Sequence, residues 1–133
     1  GGGAWSSGAP GADAPRRLRV SAVSALADAQ VIYASARDLL GSALVPGFRG
    51  WIEAAWRDRG FGDFWGYTLV AEGAAEAMVE VGLSPWDIAA PMLIVEEAGG
   101  RVTDVEGRRS LEGPGFVTSN GLIHEATLDH LRG

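Results

Sequence analysis

From Ser84 to Gly100 the chain reads Ser-Pro-Trp-Asp-Ile-Ala-Ala-Pro-Met-Leu-Ile-Val-Glu-Glu-Ala-Gly-Gly, an apolar stretch with one carboxylate, Asp87, at its opening. Ile88, Met92, Val95 and Gly99 recur at three- and four-residue steps, and Ala89, Ala90 and Ala98 favour the helical state. The Gly99-Gly100 pair supplies a stop, so the pattern predicts a helix over residues 87–98 with Asp87 in or just before its first turn. That position has two readings. Asp87 or Ser84 caps the helix, satisfying orphan amides, or the same carboxylate faces a pocket as a metal ligand or phosphate-site acid beside a helix N-terminus.

The rest of the chain alternates strand and helix signals. Residues 1–17 form a Gly/Ala/Pro/Ser-rich lead, read as a hairpin edge and loop, and Leu18 to Val23 reads as a short strand. Residues 24–28 suit a turn or short helix, Val31-Ile-Tyr33 a buried strand, and Ser35 to Leu40 a short helix. A longer helix is expected after Pro46, through Trp51 and Ala55 to about Arg57, with a short strand or connector from Phe61 before a helix around Trp65. Strands are expected over 75–81, 100–104 and 114–119, the last two bracketing a turn at 105–108. A closing helix over 121–131, capped by Ser119 or Asn120, ends the chain. Alternation of this kind argues for an α/β fold, a layered α/β/α arrangement with helices on both sides of a central mixed sheet, in one domain spanning 1–133.

Composition removes several classes of function. A net charge of -6 and the lack of any basic stripe argue against nucleic acid as a partner. All 11 cations are arginine, a bias that with the Ala and Gly richness suggests a GC-rich bacterial gene. With no cysteine there are no disulfides, thiol nucleophiles or thiolate metal sites, which is compatible with the cytoplasm. No apolar run reaches membrane-spanning length and no signal-like start is present, so neither a membrane nor export is expected.

The run Trp86-Asp87-Ile88-Ala89-Ala90, followed by Glu97-Ala98-Gly99-Gly100 and Arg101-Val102-Thr103-Asp104, resembles the C-terminal signature of the inositol monophosphatase family. In that family the aspartate of Trp-Asp-x-Ala-Ala is a ligand of a catalytic Mg2+, and by resemblance Asp87 takes that role. The stretch from Arg59 to Ala74, Arg-Gly-Phe-Gly-Asp-Phe-Trp-Gly-Tyr-Thr-Leu-Val-Ala-Glu-Gly-Ala, resembles the histidinol-phosphate phosphatase branch. There the Gly60-x-Gly62 turn allows close approach of a ligand, Asp63 suits a cationic amine or imidazolium, and Phe64, Trp65 and Tyr67 suit the walls of a ring site. Without the resemblance, Phe64 and Trp65 read as core residues and Asp63 as an N-cap.

Glu80 ends a strand-like run seven residues before Asp87, where the family resembled places a glutamate that hydrogen-bonds a polar group of the substrate. Read alone it is an ordinary exposed residue in an alternating strand. Arg59 suits a phosphate or a neighbouring subunit's site, or pairs with Asp58 or Asp63. His124 and His130, six apart, read as solvated surface residues.

The opening Gly1-Gly-Gly-Ala-Trp5 resembles a stretch from the middle of family members, so the resemblance implies a C-terminal half. The upstream glutamate and the Asp-Pro-(Ile/Leu)-Asp-Gly-(Thr/Ser) motif, which in the family hold the first metal and position the attacking water, are not in these residues. No catalytic residue is therefore assigned here, and the N-terminal half of the same protein becomes an expected partner. What the resemblance implies is a Mg2+-dependent hydrolase of phosphate monoesters, with histidinol phosphate favoured and inositol, sugar or nucleotide phosphates as alternatives, in a fold that commonly forms homodimers. The rival from another class is a non-catalytic half domain that serves binding or assembly.

Overall fold

A computed structural model describes residues 1–8, 11 and 14–133. Its elements run β1 (Trp5–Ser6), β2 (Arg16–Arg17), a 3-10 turn (Leu26–Asp28), β3 (Gln30–Tyr33), α1 (Ala36–Leu40), α2 (Phe48–Ala54), β4 (Arg57–Gly60), α3 (Phe64–Ala71), β5 (Ala77–Val81), α4 (Pro85–Glu97), β6 (Arg101–Asp104), β7 (Gly115–Ser119) and α5 (His124–Arg132). The main sheet has the order β4-β3-β5-β7-β6. β4, β3 and β5 run parallel, and β7 runs antiparallel to both β5 and β6. The expected α/β/α layering with a mixed central sheet is what the chain adopts.

Strand periodicity divides the sheet's side chains between two cores. Ile32, Met78, Val102 and Phe116 point to one face, under Tyr67 and Val70 of α3 and Ile88, Met92 and Val95 of α4. Val31, Val79 and Val117 point to the other, under Leu39 of α1, Phe48 and Trp51 of α2 and Leu128 and Leu131 of α5. The same alternation along β5 turns Glu80 toward the α3/α4 face, one step beyond Met78. α3 is drawn close to the sheet at Gly66, where an added Cβ would collide with Met78 Sδ. α4 ends as its sequence indicates, with Gly99 at φ +94 just past the Ala98 cap, the left-handed position that glycine accepts without strain.

Three expectations shift. The helix after Pro46 stops at Ala54, because Ala55 is extended (φ -81, ψ 153), and residues 57–60 pair in parallel with β3 as an edge strand. The strand is written in charge, Arg-Asp-Arg-Gly, so no apolar alternation announces it; charged side chains also protect such an edge from pairing with another chain. Leu18 to Val23 makes no strand. Its backbone is held by loops instead, with the Val20 amide donating to Ala98 O at 3.1 Å and Asn120 Nδ2 donating to Val23 O at 2.7 Å. α5 begins at His124, three residues late, since Asn120 Oδ1 accepts from the Leu122 and Ile123 amides at 3.1 and 3.3 Å and winds those residues into a turn ahead of the helix.

The packed face of α5, His124 with Thr127, Leu128 and Leu131, corrects one residue. His124 is fully buried rather than solvated, with Nδ1 2.8 Å from Ser119 Oγ and Nε2 2.9 Å from Thr103 Oγ1. Thr103 spends its hydroxyl proton on Asp104 O, so it accepts from Nε2–H; Ser119 Oγ accepts from the Gly121 amide and donates to Nδ1. Burial, followed by the nearby Arg101 charge, holds the imidazole pKa down to about 4, so the ring is neutral near pH 7. His130 is exposed, as expected.

Candidate active site

The three parallel strands end on the same edge of the sheet, where open α/β sheets bind their ligands. The end of β3 leads to Ser35 and Asp38, the end of β4 to Asp63, and the end of β5 carries Glu80 and leads to Asp87. A cleft of about 560 Å3 opens there, lined by Asp63, Phe64, Tyr67, Glu80, Trp86 and Asp87 among others. A smaller recess of about 190 Å3 adjoins it through Asp63 and Glu80 and reaches Ser35 and Asp38. Folding therefore brings Asp63, Glu80 and Asp87 onto one cleft.

Asp87 occupies the third position of α4, after Ser84 at the cap and Pro85 at the first turn. The Ser84 amide donates to Asp87 Oδ2 at 3.0 Å, the reciprocal arm of a capping box. Oδ1 has no hydrogen-bond partner among the described residues, and the side chain is exposed at the cleft. The two readings of this carboxylate are compatible, one for each oxygen. Pro91, one turn on, has no amide hydrogen, so the Asp87 carbonyl lacks the usual intrahelical donor as well.

Asp63 stands at the N-cap position of α3, but its side chain makes no capping hydrogen bond there, and its carboxylate is left to the cleft. Phe64 and Trp65 are not core residues: they are 68% and 52% exposed. Phe64 and Trp86, the latter 80% exposed, stand on the cleft wall, whereas Trp65 turns to a different groove. Glu80 is only 7% exposed, and the Tyr67 hydroxyl donates to its Oε2 at 2.7 Å. Burial raises the Glu80 pKa, the Tyr67 hydrogen bond opposes that, and the charges of Asp63 and Asp87 add to it. Burial and the Glu80 carboxylate in turn push the Tyr67 hydroxyl far above its ordinary range.

Two other candidates lie apart. Arg59 sits on the edge strand β4, exposed, with Nη1 donating to Asp58 O at 2.7 Å, and does not line the cleft. Gly62 is exposed, and a Cβ there would meet only Ala34 Cβ at 3.9 Å, so the turn leaves open space beside its backbone. The tie between Tyr67 and Glu80 was not legible in sequence. Its one signal is spacing, since Tyr67 follows Asp63 by four residues and so shares a helix face with it. Asp38, which reaches the recess from the first turn of α1, carries no motif at all.

The oxygen donors of this cleft suit a hard divalent cation. Among the described residues, however, no three His, Cys, Asp or Glu side chains lie close enough to hold a metal ion together. Asp87 fits as one ligand of a shared set, with Oδ1 the available atom.

A model of the inositol monophosphatase family matches residues 1–133. The histidinol-phosphatase of Streptomyces coelicolor is 41% identical over 115 residues, which cover 86% of this chain and 43% of that protein. Among solved structures, the extragenic suppressor protein suhB of Bartonella henselae superposes with a TM-score of 0.78 at 31% identity, covering 88% of this chain and 47% of that one. An IMPase/NADP phosphatase solved with NADP and Ca2+ superposes at 0.72 and 25% identity, covering 88% and 45%. The chain spans about half the length of the curated relatives it matches. Sequence signature, layered fold and a family match along its whole length agree that this chain belongs to the inositol monophosphatase family.

Proposed function

We propose that this chain forms the leaving-group side of the active site of a Mg2+-dependent phosphate monoester hydrolase that acts on histidinol phosphate, a step of histidine biosynthesis in the cytoplasm. The observation that carries the reading is the lining of the cleft, where Asp63, Glu80 and Asp87 stand together with Phe64, Tyr67 and Trp86. That combination suits a substrate that bears a cationic amine and an imidazole ring next to a phosphate ester. The S. coelicolor relative's name supports the choice of substrate, and the Ca2+ of the IMPase/NADP phosphatase supports a divalent metal.

Asp87 Oδ1 is the oxygen offered to Mg2+, the other ligands coming from a preceding half of the same protein. When bound, the metal polarises phosphoryl oxygens and lowers the pKa of a coordinated water. Glu80 accepts a hydrogen bond from a polar group of the substrate through Oε1, the oxygen that Tyr67 leaves free. Asp63 pairs with the ammonium or imidazolium, and Phe64 and Trp86 flank the ring. Arg59 and Gly62, outside this cleft, serve at its rim or toward a second subunit in a homodimer.

The test is phosphate release by the full-length protein that carries this chain, assayed with Mg2+ on histidinol phosphate and on inositol 1-phosphate. A kcat/KM at least about 10-fold higher for histidinol phosphate is expected, the scale of one hydrogen bond to a charged group. Preference for inositol 1-phosphate overturns the substrate, and undiminished turnover after chelation of divalent ions overturns the metal.

A further inference from the structure

We propose that Tyr67 is the positioning residue of this site: its buried hydroxyl holds one oxygen of Glu80 so that the other is presented to the substrate. This rests on the proposed role of Glu80 as a substrate contact and adds the group that makes that contact specific.

The argument begins with a buried carboxylate that has no cation. Glu80 is almost fully enclosed, yet no ion pair joins it to an arginine or histidine among the described residues. The charged groups that face it are acids, Asp63 from the start of α3 and Asp87 from α4, and Asp38 of α1 shares the adjoining recess. Such a carboxylate is costly to bury unless hydrogen-bonded. Among the described residues the Tyr67 hydroxyl is its one side-chain donor, at 2.7 Å.

Tyr67 is well placed to be rigid. It is 3% exposed, it packs in the core shared by α3, α4 and the sheet, and the neighbouring Gly66 lets α3 lie against Met78, two residues from Glu80 on the same face of β5. The phenol has two side-chain torsions, both confined by packing, so the hydroxyl is delivered at a fixed point. With Oε2 engaged, the carboxylate cannot turn both oxygens toward the acids around it, and Oε1 remains as the acceptor in the cleft. Asp63 and Tyr67 are one helical turn apart on α3, so one element sets two of the cleft's polar groups.

The experiment compares substrates within each variant of the full-length enzyme, with Mg2+ present. The ratio of kcat/KM for histidinol phosphate to that for p-nitrophenyl phosphate, which has no amine or imidazole to meet Glu80, reports recognition and cancels losses common to both. Tyr67→Phe is expected to lower that ratio about 10-fold or more, the scale of a hydrogen bond to a charged group. Glu80→Asp leaves Tyr67 in place and withdraws the carboxylate from its hydroxyl; it should lower the ratio similarly and keeps the test open if Tyr67→Phe does not fold. Glu80→Gln combined with Tyr67→Phe should do no more than Glu80→Gln alone. Loss of both activities in parallel in Tyr67→Phe, with the ratio unchanged, makes Tyr67 merely structural and overturns the proposal. If histidinol phosphate is not hydrolysed, the substrate reading fails separately, and the same ratio taken with inositol 1-phosphate decides the role of Tyr67. An unchanged ratio in Glu80→Gln removes Glu80 from recognition and Tyr67 with it.

Discussion

One oxygen of Asp87 is engaged by the Ser84 amide and the other is open to the cleft, so a single carboxylate closes the first turn of α4 and is also available to a metal. The two functions separate on substitution. In Asp87→Asn the side-chain carbonyl still accepts from Ser84, while the charge a metal needs is gone. In the full-length enzyme kcat is expected to fall by about 100-fold or more, the scale of a lost charge interaction in the transition state, while the thermal midpoint stays within about 4 °C. Activity close to that of the unaltered enzyme would remove Asp87 from the metal site; a collapsed midpoint would make the cap its main role. The capping position of Asp87 was legible from Ser84-Pro-Trp-Asp, because capping is a local matter of a few bonds. The burial of Glu80 was not, because a glutamate in an alternating strand looks the same whether its face meets water or a helix.

At the level of elements, α5 shows how a buried polar group ties a helix to a sheet. His124 joins α5 to β6 through Thr103 and to β7 through Ser119, and every hydrogen-bonding atom in the set has a partner. Protonation would turn Nδ1 from acceptor to donor and set it against the Ser119 proton. Because the folded pKa, about 4, lies below the ordinary histidine value of 6.5, the neutral ring favours the folded state. That stability is fully present above pH 6.5 and is lost as pH falls from there toward 4, amounting to about 3 kcal/mol in all. Urea midpoints measured from pH 7 to pH 4 should fall in the native chain and fall less in His124→Gln, whose amide does not titrate. Parallel curves would show that the acid loss arises elsewhere. The signal for this burial lies in the helical period, since His124 stands three, four and seven residues before Thr127, Leu128 and Leu131, all buried; the six-residue separation from His130 says nothing about it.

Taken whole, the molecule leaves one side poorly covered. Trp5, Trp65, Leu93 and Ile94 are exposed around a groove of about 620 Å3 along α3 and α4, which shares no lining residue with the cleft of Phe64, Trp86 and the acids. A surface of this kind attracts apolar ligands. This chain expressed alone is expected to enhance the fluorescence of a hydrophobic dye, and the double substitution Trp65→Ser, Leu93→Ser should reduce that signal by more than half without shifting the far-UV spectrum. An unchanged signal would mean that the groove is closed in solution. The amino-acid sequence by itself determined the α/β alternation, the signature helix with its acid at one end and glycine stop at the other, and the family, because all three depend on local spacing and residue type. The tertiary structure alone decided that Arg57–Gly60 is an edge strand, that His124 meets Thr103 and Ser119, that Asp63 is uncapped, and that Tyr67 meets Glu80. Each of these depends on which face a neighbouring element covers, and that is set by the order β4-β3-β5-β7-β6 and the helices packed across it, a relation between residues far apart in the chain.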